Sequence, residues 1–291
     1  MIVAYPPSGG TDILARLIAA ELGKAIGQTV LVINRGGASG AIGTEVAARA
    51  APDGYTLLMA TANVTISPAV DPKTKVNPTR DFVPVTLLSE SPFALVASST
   101  LPVKSLKELV AYGHAHPGKI SYASTGNGSP QQLAMELLKK NAGLDWVHVP
   151  YQGGGPALKD LMAGQVQVMF SNVLPLLPFL KSEKLYALGV TTTDPLPALP
   201  QVPTLIEQGQ PNFVVSFWTG VLAPTGTPAP VVARLNEALM AIMQKPAIRE
   251  RLTREGSIVK PLPLAEFGAY IAEDAIRWKR IAETTGVRAE Q

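Results

Sequence analysis

The sequence contains no cysteine and only three histidines among its 291 residues. The absence of cysteine excludes disulfides, thiol nucleophiles, zinc–thiolate sites and cysteine-ligated iron–sulfur clusters. His114 and His116 flank the end of a predicted helix, and His148 lies in a strand-like run. A metal site or a catalytic triad based on histidine therefore has little material, and we expect no metal and no cofactor.

Neither sign of charge dominates, because 25 Lys and Arg stand against 22 Asp and Glu, for a net charge of +3. No run of Lys and Arg forms a basic patch, so nucleic acid is not an expected partner. No apolar run reaches the roughly 18 residues of a membrane span. A hydrophobic content of 46% excludes a disordered chain, and the length suits about two domains.

The N-terminus shows no secretory signal, which would combine a basic segment, an apolar segment and a small-residue cleavage site. The chain instead opens directly with an apolar strand-like run, Met1–Tyr5, followed by a Gly/Pro loop. We expect the genomic reading frame to extend upstream into a signal peptide and the missing half of this strand.

Strand, Gly-rich loop and amphipathic helix alternate along most of the chain, which favours an α/β fold with mostly parallel sheets covered by helices. The helix predicted over Asp12–Ile26 has apolar residues at helical spacing, and the next strand is predicted over Thr29–Ile33. Residues 61–92 are rich in Pro, Thr and Ser and predict irregular structure. Glu207 and the Glu273–Asp274 pair lie on predicted surface helices and are expected to be solvated.

Two α/β units are predicted. Lobe 1 is discontinuous and comprises residues 1–97 and 220–291, and lobe 2 is inserted and comprises residues 98–219. Two crossings of the chain, near 95–99 and 216–222, would connect them. Two connecting strands and a cleft between lobes are what a hinged binding protein requires.

Four loops share one construction, in which a strand ends in a short run of small or Pro residues that leads directly into a helix. They span residues 6–11, 124–129, 151–155 and 223–227. Helix N-termini carry unpaired N–H groups and about half a positive charge, so they attract anions. Ligands of open α/β sheets bind beyond the carboxyl ends of the strands. The first three loops contain no Lys or Arg, so an anion there would be held by amide dipoles and hydroxyls.

The sequence predicts specific roles for individual residues in or near these loops. Ser129, Pro130 and Gln132 are placed as N-cap, first and third residues of the helix that follows the second loop. Asp12 could bind a ligand ammonium group or hold its own loop. Tyr151 and Trp218 could line a cleft or pack in a core.

Competing interpretations remain for each loop taken alone, because Gly, Ser and Asn are also ordinary turn residues. Motifs of other activities are absent. The run Gly37–Gly43 does not have the GxGxxG spacing, and GxxxxGK[ST], GxSxG and HExxH do not occur.

Six stretches carry a resemblance to a known family: YPPSGGTDILARLIAAEL, VINRGGASGAIGTEVAARAAPDGYTLLMAT, YASTGNGSPQQLAMELL, HVPYQGGGPALKDLMAGQVQVMF, LGVTTTDPLPALPQVPTLIEQG and FWTGVLAPTGTPAPVVARLNEAL. They cover nearly the whole chain, and PDGYTLL and APTGTP are characteristic. The chain resembles the tripartite tricarboxylate transporter solute receptors, the TctC-like or Bug periplasmic binding proteins. The resemblance implies a type II periplasmic-binding-protein fold, a two-lobed Venus flytrap with a hinge.

The resemblance also implies a function. The chain would be a monomeric periplasmic receptor, not an enzyme, that captures a small carboxylate in the cleft and delivers it to membrane transporter subunits. Carried onto this chain, the ligand-binding residues are Ser8, Gly9, Gly10, Thr11, Asp12, Asn63, Thr125, Gly126, Asn127, Gly128, Ser129, Tyr151, Gly153, Gly154 and Asn172. Asn63 and Asn172 are the weaker candidates among them.

Two alternatives stay open. A carboxylate sensor that feeds a signalling partner would have the same sequence features as a transport receptor. An enzyme on the same fold would need a base partner for Asp12, which the loops do not offer. Gln132 stands where family members often have His, so the identity of the carboxylate is also open.

Overall fold

The computed structural model describes residues 1–8, 10–254 and 256–289, and these form two compact units. The first unit comprises Met1–Glu90 and Trp218–Arg280, and the second comprises Ser91–Phe217 and the residues from Ile281 on. These bounds differ from the predicted lobes, which divide at 97/98 and 219/220 and leave the whole C-terminus in the first. Lys140 Nζ donates to the carbonyl oxygen of Thr284 at 2.6 Å. This contact connects the residues after Ile281 to the second unit.

The N-terminal segment contains β1 (Ile2–Val3), α1 (Gly10–Ile26), β2 (Ile33–Asn34), α2 (Ala41–Ala48), β3 (Leu58–Thr61), α3 (Asn63–Val70), α4 (Pro78–Asp81) and β4 (Phe82–Ser98). The middle segment contains α5 (Leu106–Ala115), β5 (Ser121–Ser124), α6 (Pro130–Ala142), β6 (Val147–Pro150), α7 (Gly154–Met162), β7 (Val168–Asn172), α8 (Leu177–Lys181) and β8 (Leu185–Val190). The C-terminal segment contains β9 (Ser216–Pro224), α9 (Ala229–Met243), α10 (Pro246–Arg254), β10 (Ile258–Leu262) and α11 (Leu264–Thr285).

The sheet of the first unit has the strand order β2-β1-β3-β9-β4, with β10 also paired to β4. β1 is parallel to β2 and β3, whereas β9 is antiparallel to β3 and β10 is antiparallel to β4. Because the three parallel strands end at one edge of the sheet, the loops that follow Val3, Asn34 and Thr61 begin side by side.

The sheet of the second unit has the order β8-β4-β7-β5-β6. β5 is parallel to β6 and β7, and β4 is antiparallel to β7 and β8. The carboxyl ends of β5, β6 and β7 therefore share one edge, where Ser124, Pro150 and Asn172 lie. Both sheets are mixed. The strands before the first three predicted loops, β1, β5 and β6, pair in parallel, whereas β9, before the fourth, is antiparallel to β3.

Each unit has its own apolar core. In the first unit, α1 buries Leu14, Ile18 and Leu22 against Val3 and Met59 of the sheet. This explains the apolar spacing of the α1 sequence, since each fully buried aliphatic side chain contributes about 1.5–3 kcal/mol to folding. In the second unit, α7 packs on the sheet through a separate cluster that includes residues of β4 and β7.

Residues 61–92 were predicted to be irregular, and this prediction was wrong. They form α3, α4 and the first half of β4. The side chain of Asn77 starts α4 by accepting hydrogen bonds from the N–H groups of Thr79 and Arg80 at 3.0 and 3.2 Å. The strand predicted over Thr29–Ile33 is also shifted, because regular pairing begins only at Ile33.

The expectation that Asp274 is solvated was also wrong. The residue is 1% exposed, Trp218 Nε1 donates to its Oδ2 at 2.8 Å, and the Thr65 hydroxyl lies 2.7 Å from the same oxygen. Burial raises the pKa of Asp274 above its usual range. Trp218 is fully buried and packs in the core. Glu207 lies in a turn, where its carboxylate accepts from the N–H of Thr204 at 2.7 Å.

Candidate functional site

The loop after β1 is organised by the carboxylate of Asp12, which is 2% exposed. Its Oδ2 accepts from the N–H of Ser8 at 2.9 Å and from Arg16 Nε at 3.0 Å, and its Oδ1 accepts from Asn34 Nδ2 at 2.9 Å. The bond from Arg16, followed by those from Ser8 and Asn34, lowers the pKa of Asp12 to about 2. These contacts favour the alternative in which Asp12 holds its own loop.

The other predicted residues of this loop differ in whether their backbone and side chains are accessible to a ligand. Ser8 has φ of 69°, in the left-handed region that non-glycine residues rarely adopt, and its N–H is directed to Asp12. Gly10 begins α1, and no atom lies within 4 Å of the place where a Cβ would stand. Thr11 is half-buried. Gly9 lies outside the described residues.

Asn63 is the first residue of α3, just after β3, and it is hydrogen-bonded to the loop that contains Ser39. Its Nδ2 donates to the carbonyl oxygen of Ser39 at 3.1 Å, and the hydroxyls of Tyr5 and Thr61 are hydrogen-bonded at 2.7 Å beside it. The pocket that these residues line has a volume of 20 Å³. This is room for about one water molecule, so that pocket is too small for an organic acid.

In the second unit, the loop from β5 to α6 is tied to β6 by a chain of hydrogen bonds. The Ser124 hydroxyl donates to the carbonyl oxygen of Gly126 at 3.0 Å and lies 2.7 Å from His148 Nε2. Gln132 Nε2 lies 3.1 Å from His148 Nδ1, and Gln132 Oε1 accepts from the N–H of Gly128 at 2.7 Å. Because the serine hydroxyl has one proton, these contacts assign His148 as the tautomer protonated on Nε2.

Several N–H groups of this loop and of the start of α6 are hydrogen-bonded to side chains of the same segment. The Ser129 hydroxyl accepts from the N–H of Gln132 at 3.3 Å, which confirms the predicted N-cap. The N–H of Gly126 is bonded to the Ser124 hydroxyl at 3.2 Å. Asn127 is half-buried. The start of α6 is thus largely satisfied by protein groups.

The start of α7 is built differently. Gly153 precedes it with φ of 103°, and no side chain caps the helix. Apart from its chain neighbours and the backbone of its own helix, a Cβ added at Gly153, Gly154 or Gly155 would meet no atom of the described residues within 4 Å. The hydroxyl of Tyr151 donates to Asp160 Oδ2 at 2.9 Å, and burial, followed by the effect of Asp160, raises the pKa of Tyr151 to about 12. Tyr151 therefore anchors the loop, while the glycines leave the first N–H groups of α7 open to approach.

A pocket of 310 Å³ lies at the carboxyl ends of β5 and β7, beside the starts of α6 and α7. It brings together three predicted residues, Thr125, Gly154 and Asn172. Gly126–Ser129, Tyr151 and Gly153 do not line it. The lining residues are Thr125, Gln131, Gly154, Gly155, Leu158, Met169, Phe170, Ser171, Asn172 and Pro175.

Gln131 is the most informative lining residue that sequence reasoning missed. It is 7% exposed, and its Oε1 accepts from the Thr125 hydroxyl at 2.8 Å. Its position as the second residue of the helix after a Gly-rich loop is the signal that could have identified it. Gly155 and Ser171 were missed as well.

The chemistry of this pocket is that of a neutral site with amide donors. Its lining contains no titratable side chain. Within residues 1–8, 10–254 and 256–289, no group of three or more His, Cys, Asp or Glu side chains could hold a metal ion. Among the helices that the structure describes, none has the length and apolar character needed to cross a membrane.

Solved structures with similar architecture define the class of protein. BugD, a periplasmic binding protein, matches with a TM-score of 0.82 and 33% identity over 100% of this chain and 98% of its own. Rpa4515 of R. palustris, solved with adipate, matches with a TM-score of 0.85 and 31% identity over 99% and 97% of the two chains. MatC of Rhodopseudomonas palustris, with bound malate, matches with a TM-score of 0.78 and 36% identity over 96% and 97%. The chain has the fold of the periplasmic binding proteins, which confirms the predicted fold class.

A family profile narrows this class. The profile described as the tripartite tricarboxylate transporter family receptor, TctC, matches residues 14–287. The chain belongs to this family of solute receptors, and the resemblance seen in its motifs is confirmed.

Proposed function

We propose that this chain is a periplasmic receptor that captures a small organic carboxylate and delivers it to the membrane subunits of a tripartite tricarboxylate-type transporter. Adipate in Rpa4515 and malate in MatC support a carboxylate ligand. The observation that carries the proposal is the second-unit pocket, in which the uncapped start of α7 faces open space.

The physical basis is the set of backbone donors at that helix end. The first N–H groups of a helix have no partner within the helix, and the aligned peptide dipoles place about half a positive charge there. A carboxylate at Gly154 and Gly155 would satisfy both requirements. Because the lining contains no Lys or Arg, affinity would depend little on ionic strength.

The same lining supports binding rather than catalysis. General acid–base chemistry needs a titratable group within hydrogen-bond reach of the substrate, and none of the side chains around this pocket can supply one. The proposed receptor acts as a monomer and releases its ligand unchanged.

The test is a thermal-shift and titration-calorimetry screen of mono- and dicarboxylates, each paired with the matching carboxamide. At a concentration 100-fold above Kd, ligand binding stabilises the folded state by about 2.7 kcal/mol, which raises Tm by roughly 5–10 °C for a chain of this size. Carboxylates should raise Tm and carboxamides should not. A shift with only phosphates, sugars or cations would contradict the proposal.

A pair of variants on α7 tests the position of the site. Gly155→Leu places a side chain into open space within the pocket, so affinity for the carboxylate should fall at least tenfold without loss of the fold. Lys159→Leu introduces the same side chain at an exposed position of the same helix and should bind like the wild type. Equal affinity in the two variants would place the ligand elsewhere. Delivery is measured by uptake of the radiolabelled acid in cells with and without this receptor.

A further inference from the structure

The second-unit pocket has two kinds of surface. One is polar and comprises the open start of α7 and the amide of Gln131, and the other is apolar and comprises the side chains of Leu158, Met169 and Pro175. We propose that this pocket selects monocarboxylates with an apolar body over dicarboxylates and hydroxy acids. This inference rests on the proposed function and specifies its class of ligand.

The polar part of the lining includes a side-chain donor that forms no hydrogen bond within the described residues. Gln131 is 93% buried on the basis of its 7% exposure. Its Oε1 is bonded to Thr125, which orients the amide and directs Nε2 away from that contact. Among the described residues, no hydrogen bond is formed by Gln131 Nε2, although the residue lines the pocket. Among the described residues, the buried side-chain atoms left without a partner are Nε1 of Trp146 and of Trp278. Gln131 Nε2 is not one of them, so it keeps access to the pocket, where a ligand can accept from it.

Gln131 Nε2 and the N–H groups of Gly154 and Gly155 form one set of neutral donors. A carboxylate has two oxygens and about four acceptor positions, which suits this number of donors. No second donor cluster with a cationic side chain lines the pocket. A second carboxylate buried here would have no counter-charge, and an unpaired buried charge is strongly unfavourable.

Part of the lining is apolar. Leu158 is 8% exposed and Met169 is 1% exposed, and the two side chains contribute hydrocarbon and thioether surface to the pocket. The volume of 310 Å³ is far larger than the 20 Å³ of the one-water pocket in the first unit, so this pocket has room for a small organic acid. Benzoate and branched short-chain acids match this size, and their bodies gain free energy by leaving water.

Isothermal titration calorimetry with matched acids tests the inference. Benzoate is compared with terephthalate, pentanoate with glutarate and adipate, and butanoate with malate. We expect each monocarboxylate to bind at least tenfold more tightly than the dicarboxylate with which it is compared, including the hydroxylated dicarboxylate malate. Dicarboxylates that bind as tightly as monocarboxylates would overturn the inference and leave the proposed function intact, whereas failure of every organic acid to bind would overturn both.

Variants of Gln131 test the role of its amide. Gln131→Glu keeps the size of the side chain and the acceptor for Thr125 but replaces the donor by a negatively charged oxygen. Benzoate affinity should fall at least 100-fold, while benzamide should bind the variant as well as or better than it binds the wild type. Gln131→Met removes the donor without adding charge and should reduce benzoate affinity about tenfold. Unchanged benzoate affinity in Gln131→Glu would overturn the assignment of the ligand to this pocket.

Discussion

The hydrogen bonds of Gln132 give the sharpest prediction about the loop from β5 to α6. The side chain accepts from the N–H of Gly128 at 2.7 Å and contacts His148 Nδ1 at 3.1 Å. Gln132→Leu removes both contacts and leaves the two partly buried groups without this partner. Each lost bond costs about 0.5–1.5 kcal/mol, so a central value of roughly 2 kcal/mol is expected, or about 4–8 °C in Tm.

The assay is thermal unfolding followed by circular dichroism. Lys107→Leu, an exposed residue of α5 in the same unit, is the matched control and should change Tm by less than about 2 °C, because exposed positions cost little. Nitrogen NMR of the imidazoles should show His148 protonated on Nε2. An identical Tm for the two variants, or a His148 proton on Nδ1, would refute the network.

Gln132→Glu separates the two hydrogen bonds. The carboxylate can still accept from the N–H of Gly128, but it cannot donate to His148 Nδ1 as the amide does. The variant should therefore keep one of the two bonds and unfold at a Tm between those of the wild type and Gln132→Leu. A Tm equal to that of Gln132→Leu would contradict the assigned geometry.

Three further predictions concern the first unit. The pKa of Asp12 is lowered to about 2, so the ionised carboxylate stabilises the fold above about pH 4 and this stabilisation is lost as the pH falls through 2. Asp12→Asn should reduce the fall in Tm between pH 4 and 2, and an unchanged pH profile would show that the Arg16 contact does not stabilise the fold. The pKa of Asp274 is raised by burial, so its ionisation destabilises the folded state as the pH rises above the ordinary value. Asp274→Asn should remove that pH dependence of chemical denaturation, whereas Asp274→Ala should cost about 1–3 kcal/mol because Trp218 Nε1 loses its acceptor. A Cβ at Gly43 would lie 2.5 Å from a backbone oxygen and 2.7 Å from a Cα atom, so Gly43→Ala should cost at least about 1–3 kcal/mol. Gly268→Ala, in α11 with its nearest neighbour at 3.7 Å, should instead gain roughly 0.5–1 kcal/mol; melts that move in the same direction would contradict this pair.

Local sequence signals predicted much of the chain because their physics acts over a few residues. The apolar spacing of α1 predicted the burial of Leu14, Ile18 and Leu22, although Ile13, predicted on the same face, is 40% exposed. Ser129 predicted the start of α6 because a hydroxyl at that position accepts from an N–H three residues later. The Gly-rich runs likewise predicted where strands lead into helices. The family motifs were recognisable in the same stretches, so the fold class could be predicted from the sequence.

Local sequence features did not predict secondary structure or burial where these depend on tertiary packing. Residues 61–92 have the Pro, Thr and Ser content of a loop, yet the first half of β4 forms there because β10 pairs with it at Leu87 and Glu90 and because side chains such as Leu88 are fully buried. Asp274 sits in an otherwise ordinary amphipathic helix, and only the approach of Trp218 and Thr65 makes it a buried acceptor.

The features of the candidate site also separate into those that the sequence predicted and those that required the tertiary structure. The sequence by itself determined that Thr125, Gly154 and Asn172 follow or precede regular elements at positions typical of ligand contacts. Only the tertiary structure decided that these three surround one pocket and that Gln131 joins them. It also showed that the N–H groups of Gly126 and Gly128, in the loop before α6, are already bonded within the protein. The physical reason is that a hydrogen-bond donor is available to a ligand only if no nearer protein acceptor takes it. The nearby acceptors Ser124 and Gln132 are themselves in contact with His148, which β6 brings from a different part of the chain.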